Sequence, residues 1–419
     1  MIGSRIRPFI ALLAAWPLAV VAQDYLPPDP AVHTAITQQA EVLAAGARTD
    51  AAQAQARALA AGPHEFSLNA SPQRRRTGNE GNFREWEAGV SRTLRMPGKA
   101  KLDREIGRHG AASAGLRWDD ARHQAARRLL TAWMDHLRTG QAAAEARRQR
   151  ELLQEQRDAM NRQVELGDSA RLDLNLLEAE LAQADAAQWQ AEAAWQSTRL
   201  TLLNDFPQIP LPERICNLPD PTPLPGDDAA WIARIVGRSH EIGAANEDAL
   251  QQESIAARAR AERMPDPTIG LSMTSERDGE ERVLGVTISV PLGGRARSAT
   301  AVAENATAQA LHDDALAMRR DIEREARLTV LAADNRLRQW QAQHQARQAT
   351  DIAGQRMYRA WELGEASLAE RLLAERNSRQ AALAEANARV DALEARLKVM
   401  IDSHELWHVD EDVSPNVAR

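Results

Sequence analysis

One stretch of this sequence returns almost two hundred residues later. Gly89-Val90-Ser91-Arg92-Thr93-Leu94-Arg95-Met96-Pro97-Gly98-Lys99-Ala100-Lys101 is answered by Gly285-Val286-Thr287-Ile288-Ser289-Val290-Pro291-Leu292-Gly293-Gly294-Arg295-Ala296-Arg297, at a constant spacing of 196 residues. Each copy reads as a short alternating strand, a Pro/Gly break and a basic helix start. A second pair, Leu166-Gly167-Asp168-Ser169 and Leu363-Gly364-Glu365-Ala366-Ser367, lies at nearly the same offset. Two landmarks sharing one offset imply an internally duplicated chain, and a repeat constrains the fold more than any single motif does.

The flanking patterns fill in each copy. Residues 31–61 and 229–263 are Ala-rich and predict helices that precede each strand pair. Strands are expected over 64–71 and 85–94 in the first copy, and over 268–275 and 282–290 in the second. Their apolar residues alternate with small or polar ones: Phe66, Leu68 and Ala70; Trp86, Ala88 and Val90; Ile269, Leu271 and Met273; Leu284, Val286 and Ile288. Residues 72–83, with Arg74-Arg75-Arg76, read as a polar loop. From Lys99 to Glu165 there is no proline, and Leu130, Trp133 and Leu137 keep helical spacing. Some 67 such residues make a helix of roughly 100 Å. Long helices are expected over 99–165, 169–204, 295–362 and 367–403, meeting in pairs at the two Leu-Gly tips. Gly167 reads as a C-cap, and Asp168 or Ser169 as the next N-cap. The last helix carries a heptad in Leu383/Ala386, Val390/Leu393 and Leu397/Met400. The organisation is thus a leader over 1–22, a first repeat over 23–204, a Pro-rich connector over 205–228, a second repeat over 229–403 and a tail over 404–419.

Arg5 and Arg7 before the apolar run 9–21, with Val20-Val21-Ala22 as a cleavage site, read as a secretory signal peptide. No other stretch is apolar enough for a membrane helix, so any entry into a bilayer is by strands. With Arg5 and Arg7 removed, the formal charge of −7 becomes −9, which argues against a nucleic-acid partner. The single cysteine, Cys216, excludes an internal disulfide. Aromatic residues are only 4% of the chain, sparse for a compact core of this size and suited to long helices packed closely side by side. Strands of about nine to eleven residues match a bilayer crossing. Four of them cannot close a barrel, so membrane strands require oligomerisation. The competing arrangement is a soluble hairpin domain on a coiled-coil stalk.

The signal peptide, the duplicated helix–strand–strand–long helix–tip–helix order and the Leu-Gly tips resemble the TolC-type outer membrane efflux proteins, across essentially the whole mature chain. The resemblance implies a mainly α protomer with membrane β. Three protomers would form a homotrimer, with a 12-stranded outer-membrane β-barrel continued by a periplasmic α-helical barrel. It implies a passive, non-enzymatic channel with no cofactor, set in outer-membrane lipid. Its partners would be a periplasmic adaptor (membrane fusion protein) and an inner-membrane pump of RND type. The short chain and the Pro97-Gly98-Lys99 helix start look most like the heavy-metal cation efflux branch. Two alternatives stand beside this: a soluble periplasmic coiled-coil adaptor, and a type I protein-secretion conduit of the same fold.

The same resemblance nominates site residues. Asp173 and Glu370, six positions past the tip glycines, fall where the family carries gate acids, and Trp361 where it often has an aromatic residue in the gate. Three copies of an acid around a threefold axis would favour cations. A local explanation competes, since Ser367 and Glu370 also fit a capping box. Leu373 and Leu176 occupy places where a second acidic ring would stand. Leu166, Gly167, Asp168 and Ser169, with Leu363, Gly364, Glu365 and Ser367, correspond to adaptor-docking tips. His404-Glu405-Leu406-Trp407-His408 matches H-E-x-x-H, but no third ligand follows at a workable distance, so a catalytic zinc site is not expected. No catalytic or metal residue is assigned.

Overall fold

The computed structural model describes residues 25–212 and 217–408. The expected leader, Cys216 and the end of the tail lie outside them. The first half runs α1 (Asp29–Thr37), α2 (Ala40–Ala61), β1 (Phe66–Thr77), β2 (Gly81–Thr93), α3 (Pro97–Leu166) and α4 (Arg171–Asp205). The second runs α5 (Asp228–Arg238), α6 (His240–Ala261), β3 (Thr268–Glu276), β4 (Glu281–Ser289), α7 (Arg295–Glu362) and α8 (Leu368–Asp402), with one 3-10 turn between β3 and β4. Corresponding elements match in length. α2 and α6 have 22 residues each, α4 and α8 have 35 each, and α3 and α7 have 70 and 68. The longest therefore reach about 105 Å at 1.5 Å per residue.

Local chemistry sets these boundaries. Pro97 occupies the first turn of α3, where its missing N–H costs nothing. Gly167 ends α3 at φ +82°. Its N–H and that of Asp168 donate to Val164 and Gln163 carbonyls, closing the last turn in the left-handed conformation that favours glycine. The 31–61 and 229–263 segments each form two helices rather than one. Ser239 breaks the second with extended backbone (ψ 120°), and its hydroxyl accepts from the Ile242 N–H. The N-cap of α4 is Ala170, not Asp168 or Ser169; the Ser169 hydroxyl donates instead to Gln163.

The helices lie side by side. Toward the tips, α4 packs on α3, α3 on α8 and α8 on α7; toward the sheet, α2 packs on α3, α3 on α6 and α6 on α7. Small residues at heptad spacing let the axes approach closely: Ala301, Ala308 and Ala315 on α7, and Ala249 and Ala256 on α6, are all buried. At Gly107 the two backbones approach closely, since a Cβ there would sit 2.8 Å from the Ala56 Cα. A core at mid-height gathers Leu129, Leu130, Trp133, Met134 and Leu137 of α3, Val390, Leu393, Leu397 and Ile401 of α8, and the connector residues Phe206, Ile209 and Leu218. A second, at the tips, joins Leu153 and Met160 to Leu174, Leu177 and Leu181 and to Leu368 and Leu372.

The strands form one antiparallel sheet in the order β1-β2-β3-β4. β1 and β2 extend beyond the expected strands. Residues 72–77 and 81–83, read from sequence as loop, lie in the pairing that runs from Pro72↔Trp86 to Thr77↔Gly81. Arg75 lies between Glu85 (3.2 Å) and Glu276 (3.1 Å), which accommodates the arginine run inside a strand. Pro72 is tolerated because β1 is an edge strand.

Candidate membrane sheet and channel entrance

The strand register sorts the side chains into two faces. On one, four rows run across the sheet: Phe66–Arg92–Ile269–Ile288, Leu68–Val90–Leu271–Val286, Ala70–Ala88–Met273–Leu284 and Pro72–Trp86–Ser275–Arg282. The two middle rows are wholly apolar, and their large side chains face outward; Leu68 is 83% exposed and Leu284 73%. Six residue steps separate the outer rows, about 20 Å along a strand. Phe66 and Trp86 put aromatic rings at the two ends of this band, as in transmembrane strands. Arg92 lies over the Phe66 ring at 4.7 Å and donates to the His64 carbonyl, at the helix-proximal end. The opposite face is small and polar, with Ser67, Asn69, Gly89, Ser91, Gly270, Ser272, Gly285 and Thr287. Such a sheet matches lipid on one side and water on the other. Among the described residues, no helix is long and apolar enough to cross a membrane.

At the far end of the helices the two tips are alike. Gly364 (φ +74°) donates to the Trp361 carbonyl and Glu365 to the Ala360 carbonyl, repeating the closure at Gly167. Leu166 and Leu363 stand at equivalent places and are 76% and 60% exposed. Asp168, Gly364, Glu365 and Ser367 are exposed as well, and Ser169 partly so. The eight tip residues thus form two matched surface turns, each with one apolar knob.

Asp173 and Glu370 both fall in the first turn of their helices, where a negative charge is favoured by the helix dipole. Asp173 is half-buried, with its N–H bonded to the Ala170 carbonyl. Glu370 is exposed, and its carboxylate accepts from the Ser367 N–H and lies 2.8 Å from the Ser367 hydroxyl, which in turn accepts from the Glu370 N–H. The capping box is therefore present. The Ser367 N–H and hydroxyl hold the Glu370 carboxyl below its ordinary range, so it stays charged at neutral pH. Leu373 is 55% exposed on the same helix, without a second acid.

Trp361 packs against the tip core. Between it and Tyr358, one turn earlier on α7, sits a residue that sequence reasoning missed. The buried Arg371 guanidinium lies 4.2 Å from the Trp361 ring centre and 4.8 Å from that of Tyr358, and pairs with Glu375 at 2.8 Å. The three-residue spacing of Tyr358 and Trp361 was visible; the arginine arriving from α8 was not. This sandwich walls a groove of about 770 Å³ between the two hairpins. Arg359 pairs with Glu362 on its own helix.

The H-E-x-x-H segment is not a helix. α8 stops at Asp402, His404 and Trp407 have positive φ, and Glu405 pairs with Arg234. Among the described residues, no three His, Cys, Asp or Glu side chains are grouped to hold a metal ion.

No protein-family model and no curated protein matches the sequence. Solved structures do match. A structure of CusC, described in connection with transmembrane channel formation, superposes with a TM-score of 0.77 at 13% identity, covering 90% of this chain and 91% of that one. A membrane protein from Pseudomonas aeruginosa gives 0.76 at 17% identity, covering 99% of each chain. The CmeC outer membrane channel of Campylobacter jejuni gives 0.73 at 16%, covering 91% of this chain and 87% of that one. The duplicated hairpins, the four-stranded sheet and these full-length superpositions establish that the chain has the fold of the TolC-type outer membrane efflux channels.

Proposed function

We propose that this protein is the outer-membrane exit duct of a tripartite efflux system, passive and without a catalytic centre. The observation that carries this is the sheet: a face with an apolar band two rows deep at its centre, flanked by two unpaired edges, β1 and β4. An open sheet edge does not persist in hydrocarbon. A head-to-tail ring, with β1 of one copy against β4 of the next, pairs every edge, and three copies make twelve strands. The long helices continue this ring as a cylinder in the periplasm. The outer-membrane channels of like fold support the same reading.

In that assembly the tips form the entrance. Leu166, Gly167, Asp168 and Ser169, with Leu363, Gly364, Glu365 and Ser367, dock a periplasmic adaptor, which joins the duct to an RND-type inner-membrane pump. Asp173 and Glu370 ring the entrance with negative charge, and Trp361 packs behind it. Heavy-metal cations are the proposed cargo; support comes from the acidic entrance and from the family branch that the chain length and the Pro97-Gly98-Lys99 start resemble. The test is fractionation of the mature protein, followed by unheated gel electrophoresis and planar-bilayer recording. A heat-sensitive trimer in the outer membrane that conducts cations supports the proposal. A soluble periplasmic monomer or dimer refutes it, and a trimer without conductance refutes the duct. Leu166→Ser with Leu363→Ser is expected to abolish adaptor capture while leaving conductance intact.

A further inference from the structure

Four histidines from three distant parts of the sequence, His123, His240 and the pair His404 and His408, meet at mid-height, where the chain leaves α8. His404 stacks between His240 (ring centres 4.8 Å apart, planes at 20°) and His408 (4.6 Å, 10°). His123 of α3 stands beside them, 5.4 Å from His404 and 6.5 Å from His240. The backbone beneath is the turn used at both tips: the His404 N–H donates to Ile401 and that of Glu405 to Met400. Gly167 and Gly364 fill the left-handed position at the tips; here His404 does, at φ +60°. A side chain rarely sits there. The turn brings His404 into the stack and lets Trp407, 6% exposed, enter the mid-height core.

The surrounding charges are already engaged. On α3, Asp119 pairs with Arg122, and Arg127 pairs with Asp402 of α8 and Glu325 of α7. Asp402 also faces His123 at 3.4 Å. On α5, Arg234 holds Glu405, and Arg238 donates to the Ser403 carbonyl. On α6, Glu241 accepts from Ser239. The space left among the imidazoles is about 30 Å³, room for about one water. The three stacked rings lie in nearly parallel planes, which cannot aim their nitrogens at one shared ion, and among the described residues no three His, Cys, Asp or Glu side chains are grouped to hold one.

We propose that the histidine stack is an acid-sensitive clasp: neutral, it seats residues 403–408 against α3, α5 and α6, and protonated, it releases them. Burial, followed by the charges of His240, His123, His408 and Arg238, drives the seated His404 down to about 3. Burial also lowers His240, against the pull of Asp119 and Glu241. The sign follows from linkage. A released His404 titrates near 6.5, so the seated form is favoured fully above that pH and loses ground as pH falls toward 3. For this imidazole alone, going from pH 7.5 to 5.0 multiplies the released fraction about 30-fold. The clasp does not depend on the channel reading.

The test is hydrogen exchange of the peptide spanning 403–408, in the full-length detergent-extracted protein, at both pH values after correction for intrinsic rates. Wild type is expected to show a rise in opening of about 30-fold or more at pH 5.0. His404→Gly retains a residue suited to the turn and is expected to flatten the change to within about threefold. His408→Gln removes one neighbouring charge and is expected to move release to lower pH. Unchanged protection in wild type, or a wild-type pH response in His404→Gly, overturns the proposal. So does release at pH 7.5 on adding a chelator, which would assign the stack to a metal.

Discussion

Leu271 and Ser272 are adjacent on β3, at the same depth, and point to opposite faces. Leu271 lies in a middle row of the apolar band, between Val90 and Val286. Ser272 lies between Gly89 and Gly285, and a Cβ at Gly285 would meet its hydroxyl at 3.1 Å. A lysine at 271 puts an ammonium against lipid near the bilayer centre, costing about 2–4 kcal/mol per copy, or about 30- to 700-fold in the folding equilibrium. A lysine at 272 extends over glycines toward water and is expected to cost under about 1 kcal/mol. Leu271→Lys and Ser272→Lys should be compared by urea-dependent folding into vesicles and by the yield of oligomer on unheated gels. The expected result is loss of assembly for Leu271→Lys alone. Equal behaviour of the two, or greater damage from Ser272→Lys, would refute the assignment of faces.

Four further outcomes are expected. Glu385 is 1% exposed and accepts from the buried Trp340 indole (2.7 Å) and from the partly exposed Arg347 (3.0 Å) and Arg389 (2.9 Å), so Glu385→Ala orphans the indole N–H and should cost about 1–3 kcal/mol in thermal or chemical unfolding. Burial opposes the Glu385 charge, but the Trp340 and Arg389 bonds hold the carboxyl below 4.5 in the folded chain. Its contribution should therefore be complete above about pH 4.5 and fade as pH falls through the folded value, and Glu385→Gln should flatten that part of a pH–stability curve. At the entrance, Ser367→Ala should cost about 1 kcal/mol and speed exchange in the first turn of α8, whereas Glu370→Gln should reduce cation preference in bilayer recordings. If the two variants act alike, the gate role of Glu370 falls and only the cap remains.

The parts of this fold that were legible in the sequence depend on near neighbours. The 196-residue offset and the proline-free runs imply matched long helices, and period-two alternation alone separates Leu271 from Ser272. The parts that were not legible are non-local. Arg74-Arg75-Arg76 read as loop because the acids beside Arg75, Glu85 and Glu276, lie 10 and 201 residues away. Arg371 joins Tyr358 and Trp361 only when α8 lies along α7. His123 and His240 look like isolated surface histidines until α3, α6 and the end of α8 converge. The break at Ser239 had a local signal, a serine that caps α6, but the surrounding helical composition outweighed it.

The tip geometry also bears on how the proposed entrance would change its width. Within one protomer the two hairpins are joined firmly. Leu368 and Leu372 of α8 are buried in the same cluster as Leu174 and Leu177 of α4 and Leu153 of α3, and each such side chain contributes about 1.5–3 kcal/mol of burial. Glu180 of α4 faces Arg376 and Arg379 of α8 across the same seam. Arg371, held between Tyr358 and Trp361, ties α8 to α7. Glu370 is bound to its own helix start and so carries a fixed charge rather than a movable latch. Splitting α3–α4 from α7–α8 would expose this core and strand the charges at once. The outer flanks of α4 and α7 carry no such seam within the protomer, with Leu172 of α4 and Ile352 of α7 65% and 50% exposed. In the proposed ring of copies, the less costly motion would therefore be for each four-helix unit to move as one body, with the aperture set where neighbouring copies meet.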